Sequence, residues 1–70
     1  MPLAFAPFDK ELTVTKILAD EKTKRHLENL GIIIGCHITS LVDQNGSVIL
    51  KVKDTRLAIN KSLAQKIFVA

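Results

Sequence analysis

Apolar residues recur along this chain at the two spacings that build regular structure, each in its own stretch. From Glu11 to Ala19 the β-branched residues Thr13, Val14, Thr15 and Ile17 cluster as a strand requires. Leu12 and Val14 fall on one face and Ile17 on the other, so the pattern predicts a bulge near Lys16 or partial cover on both faces. Asp20 stands as the N-cap of a helix from Glu21 to about Leu30, with Glu21 in its first turn and Leu27 and Leu30 toward the core. Gly31 follows where a left-handed C′ residue is wanted. Glu21 and Arg25 are spaced for an i,i+4 ion pair. A helix this short holds only if it is packed.

Beyond it, Ile32-Ile33-Ile34-Gly35 reads as a connector, with Gly35 in a tight turn or at positive φ. Cys36 to Val42 is a second strand, and Asn45-Gly46 predicts a type I′ hairpin turn. The strand Ser47 to Lys53 alternates, with Val48, Leu50 and Val52 inward and Lys51 and Lys53 outward. Asp54-Thr55 turns the chain into Arg56-Leu57-Ala58-Ile59. Asn60 then caps a helical turn from Lys61 to about Lys66, stacking Leu63 on Ile67, and Phe68-Val69 closes as a last strand. Residues 1–8, restricted by Pro2 and Pro7, read as an extended apolar arm whose Phe5 and Phe8 plug one end of the core or form a greasy contact surface.

Short strands leave costly open edges unless the sheet curls and closes. The expected fold is therefore mainly β: a small, partly open SH3-like barrel over residues 9–70, preceded by the arm at 1–8. Its order is strand-helix-strand-strand-strand-short helix-strand. Gly31, Gly35, Asn45, Gly46 and Asn60 are its structural turn and cap residues.

Composition narrows the function. Seventy residues make one domain, with about 60% of the unfolded chain's surface buried on folding. A hydrophobic share of 47% argues against disorder, and the single Cys36 excludes a disulfide framework. The net charge of +3 is scattered, which is short of a nucleic-acid footprint. No stretch approaches the roughly 20 apolar residues of a membrane span, and no export signal is visible, so a cytoplasmic location is expected.

No catalytic constellation appears, and a non-enzyme is expected. Cys36 and His37 are neighbours in a strand and point to opposite faces, while His26 sits among charged helix residues. No metal site and no bound cofactor are predicted, because four Cys or His ligands are the rule for structural zinc and the chain offers three. No glycine-rich phosphate loop is present. The remaining candidates are contact surfaces: the helix face Lys22, Lys24, Arg25 and Glu28, and the connector residues Ile32 and Ile33.

The segment Leu27-Glu28-Asn29-Leu30-Gly31-Ile32-Ile33-Ile34-Gly35 resembles the L-x-x-L-G-[LIM]-x-x-G core of the FeoA (ferrous iron transport protein A) family. The run from Arg56 to Ile67 is similar to that family's R-x-A-[IL]-x-x-x-[LE]-A-x-x-I ending. The family usually carries proline where this chain has Ile34. The resemblance implies a small accessory protein of bacterial ferrous iron uptake, with iron as cargo. Its implied partner is the FeoB transporter, through that protein's cytosolic GTP-binding domain. It would work in the cytoplasm or at the inner membrane through FeoB, and a homodimer is also allowed. The alternative it brings is a metal-responsive or metal-carrying barrel related to the C-terminal domain of metal-dependent repressors.

Overall fold

A computed structural model describes residues 1–70. A 3₁₀ turn (Leu3–Phe5) leads into β1 (Glu11–Ile17), α1 (Glu21–Asn29), β2 (His37–Gln44), β3 (Ser47–Val52), β4 (Thr55–Asn60), α2 (Lys61–Ala64) and β5 (Ile67–Val69). The strands form one antiparallel sheet in the order β4-β3-β2-β1-β5. β1 pairs with β2 through Glu11, Leu12 and Thr13, then with β5 through Val14, Lys16 and Ile17. The register shifts between Val14 and Lys16, so the expected bulge is present and lets one strand turn the corner of a curled sheet. A second shift lies between Ser40 and Val42, where β2 bends against β3.

The expected alternation fills the interior. Leu12, Val14, Ile38, Val48, Leu50, Val52, Ile59, Ile67 and Val69 are buried from the sheet, and Leu27 and Ala64 from the helices. Leu30 is only half-buried, because it is the C-cap of α1 and lies past the inward turn. Both predicted helix caps form: Asp20 accepts from Thr23 N–H at 2.8 Å, and Asn60 from Leu63 N–H at 2.8 Å. Asn45 (φ 51°) and Gly46 (φ 80°) supply the two left-handed residues of a type I′ turn.

Three expectations need correcting. The segment 1–8 is not an arm beside the barrel. Leu3 and Ala6 belong to the core, Pro2 bridges Phe68, and Met1 exchanges hydrogen bonds with Val69, covering the outer edge of β5. Leu3 and Ala6 are its plug, while Phe5 and Phe8 stand outside, 68% and 51% exposed. The β3–β4 turn is Lys53-Asp54, not Asp54-Thr55: Val52 pairs with Thr55, and Lys53 takes φ 56°. Finally, Glu21 and Arg25 do not pair; the one ion pair is Lys61–Asp43 at 3.0 Å.

Candidate functional site

The exit from α1 creates the most distinctive surface. Gly31, at φ 89°, donates its N–H to Glu28 C=O, and Ile32 N–H bonds Leu27 C=O, both at 2.9 Å. These are the two hydrogen bonds of a Schellman cap, in which the residue after the glycine folds back onto the last helical turn. Ile32 is consequently driven inward beside Leu27, and both are fully buried. The next turn closes with Cys36 N–H bonded to Ile33 C=O at 3.1 Å, with Gly35 at φ 94° as its third residue. Gly35 N–H also bonds Val14 C=O at 2.8 Å, so the connector is tied to β1.

Two consecutive turns leave Ile33 and Ile34 facing out, 49% and 64% exposed. Together with Ile17 and Ile32 they line a notch of about 150 Å³ whose polar rim is Lys24 and Glu28 of α1. Leu18, half exposed, extends the apolar surface past Ile17 into the adjoining depression, which Lys24 also borders.

The structure thus brings together Lys24, Glu28, Ile32 and Ile33, which the sequence placed on two separate surfaces. Ile32 must be withdrawn as a contact residue in its own right: it is the buried floor of the notch and serves the core. Lys22 and Arg25 do not share the face of Lys24 and Glu28. Lys22 lies two positions before Lys24, on another side of a 3.6-residue helix, and joins His26 beside Asn60 and Leu63. Arg25 is exposed and borders no depression. Gly31, Gly35, Asn45 and Gly46 all adopt the positive φ expected of them.

A second depression, of about 350 Å³, opens on the outer face of the sheet beside Glu11, Cys36, His37, Thr39, Lys51 and Lys53. His37 is exposed, with Nδ1 3.2 Å from the Thr13 hydroxyl, and Cys36 is half-buried against the core. Glu11, Cys36 and His37 share this rim, yet no three His, Cys, Asp or Glu side chains converge closely enough to hold a metal ion. No helix is long and apolar enough to cross a membrane.

With this geometry in place, comparison with known proteins decides the family. The FeoA domain profile matches residues 1–70. The chain belongs to the FeoA family. A protein described as an Fe(2+) transport protein A, from Methanocaldococcus jannaschii, is 41% identical over 68 residues, covering 97% of this chain and 83% of that one. A crystal structure described as the iron uptake regulatory protein FeoA superposes with TM-score 0.89 at 27% identity, covering 99% and 93% of the two chains. The Stenotrophomonas maltophilia FeoA, solved in complex with zinc and described as an SH3 domain protein, gives TM-score 0.82 at 22% identity over 100% and 89%. The expected SH3-like barrel is therefore the observed FeoA fold. A manganese-dependent transcriptional repressor shares the fold at TM-score 0.88 and 21% identity, this chain covering 40% of it. That likeness is one of architecture.

Proposed function

We propose that this FeoA protein is a non-catalytic accessory factor of ferrous iron transport, working in the cytoplasm by contact with the FeoB transporter and its GTP-binding domain. The family supports the transport role, and the M. jannaschii relative carries ferrous iron in its name. The observation that carries the contact reading is the notch. Ile33 and Ile34 are exposed side by side on a connector fixed at both ends by hydrogen bonds, with a cation and an anion on the rim. A rigid apolar centre with a charged border is the anatomy of a binding hot spot. Ordering entropy is already spent there, so a partner gains most of the apolar contact.

Titration of the protein against the isolated GTP-binding domain and the full-length transporter, with and without nucleotide and at two salt concentrations, tests this. Saturable binding that survives the higher salt and is lost in Ile33→Asp is expected. Absence of binding to either form overturns the reading. A metal-carrying role is the second reading, motivated by the fold this chain shares with a manganese-dependent repressor. Calorimetric titration with ferrous ion separates the two: stoichiometric binding at micromolar concentrations, lost in His37→Ala, would support the carrier.

A further inference from the structure

The two edges of the sheet are treated differently. β5 is covered by Met1 and Pro2, whereas β4 pairs only with β3. Exposed edges in natural proteins are usually blunted by bulges, prolines or brevity. β4 has none of these and carries only a charge, Arg56, which deters a strand of like charge but not an acidic one: it is paired with β3 in unbroken register from Thr55 to Asn60 and contains no proline. A two-residue turn makes Val52 and Thr55 a hydrogen-bonded pair, so hydrogen bonding to β3 alternates through Thr55, Leu57 and Ile59. The N–H and C=O groups of Arg56 and Ala58 therefore point away from the sheet, and no turn, loop or cap bond engages them. Ala58 is exposed, and its small side chain leaves the approach uncrowded.

The charge beside this edge is one-sided. Lys51 lies directly across from Arg56, and Lys53 sits in the adjoining turn. All three are exposed, and neither Asp54 nor Glu11 comes within ion-pair distance of any of them. A second copy of this chain would bring the same net charge of +3 and the same unpaired cations to the edge. An acidic strand meets them favourably.

We propose that the open edge of β4 accepts an extended acidic segment of a partner protein, which adds antiparallel as a sixth strand. Its backbone bonds Arg56 and Ala58, and its carboxylates lie against Lys51, Lys53 and Arg56. This is strand addition, in which backbone bonds supply affinity and side chains supply selectivity.

The test is a fluorescence titration of the whole protein with a labelled peptide of alternating valine and glutamate, beside a valine–lysine counterpart. Amide exchange of the complex is followed residue by residue. Binding of the acidic peptide several-fold tighter is expected, since Arg56 is its charged cross-strand neighbour and Lys51 and Lys53 add attraction from the adjoining strand and turn, a few tenths of a kcal/mol each. Slowed exchange at Arg56 and Ala58 should accompany it. Ala58→Pro removes the outward N–H at a position an edge strand tolerates, and should abolish binding while β3 and the core keep their protection. Arg56→Glu, which keeps every backbone donor, should weaken binding of the acidic peptide and shrink its preference over the lysine peptide, with protection still centred on positions 56 and 58. Equal binding of both peptides, protection elsewhere, or no binding would overturn the proposal. So would protection of Arg56 and Ala58 that rises with protein concentration alone, which would assign the edge to a second copy.

Discussion

The N-terminal segment 1–8 and the connector 31–35 are both apolar runs without helical or strand periodicity, and both divide into buried and exposed residues. In the first, Leu3 and Ala6 enter the core while Phe5 and Phe8 stay outside; in the second, Ile32 enters while Ile33 and Ile34 stay outside. Their surroundings differ. Ile33 and Ile34 lie in a concave notch with Ile17, bordered by Lys24 and Glu28, whereas Phe5 and Phe8 line no depression. Exposed apolar area alone is common on protein surfaces. Concavity, rigidity and a charged border together distinguish the connector.

The largest expected effect separates inside from outside. Ile32→Ala and Leu3→Ala should each cost about 2–5 kcal/mol in denaturant unfolding, as deletions in a close-packed core do. Ile33→Ala and Phe5→Ser should stay within about 0.5 kcal/mol, since neither leaves a cavity. A large loss at Ile33 would show that the connector's outward residues are structural and erase the contrast.

Next comes the cap that sets the division. Gly31→Ala should destabilise by about 1–2 kcal/mol, the cost of holding an L-residue in the left-handed region. Steric crowding adds little, because a Cβ there meets only Val52 Cγ1 at an ordinary 3.6 Å. A smaller gain is expected from Ile34→Pro. Ile34 N–H makes no backbone bond and occupies the second position of the turn closed by Ile33 and Cys36, where proline's fixed φ suits type I and II turns. Stabilisation of up to about 1 kcal/mol, read as a raised unfolding midpoint, is expected.

The smallest effect is electrostatic. Hydrogen bonding by the Thr23 side chain and backbone holds the Asp20 carboxyl below its ordinary value. A lowered folded value means the ionised cap stabilises the protein above the unfolded pKa of about 4 and loses that contribution as pH falls through the folded value. Asp20→Ala should therefore lower the melting temperature near neutrality. The gap to wild type should narrow in acid; a gap independent of pH would contradict the assignment.

Local chemistry was legible in the sequence. Asp20, Asn60, the Asn45-Gly46 turn and the bulge near Lys16 each follow from a rule that acts over a few residues. The role of segment 1–8 was not, because Leu3 is buried, and Met1 and Pro2 bond, against a strand at the opposite end of the chain. Lys53 was missed because an Asp-containing pair could be framed one residue later, and a left-handed lysine is uncommon. Ile32 carried a signal that went unused. Once Gly31 is placed at C′, the following residue is expected to pack on the helix's third-last residue, which is Leu27. The separation of Lys22 from Lys24 likewise follows from helical geometry alone. That Ile33, Ile17 and Lys24 share one notch is a matter of how α1 lies against β1, which no local pattern encodes.

The measurement that tests the central claim most directly is residue-resolved amide exchange of this protein, free and bound to the FeoB GTP-binding domain. The account predicts new protection across Lys24 to Ile34, with exchange around Phe5 and Phe8 unchanged. Protection centred on the Phe5–Phe8 surface instead, with the notch exchanging as in the free protein, would contradict it.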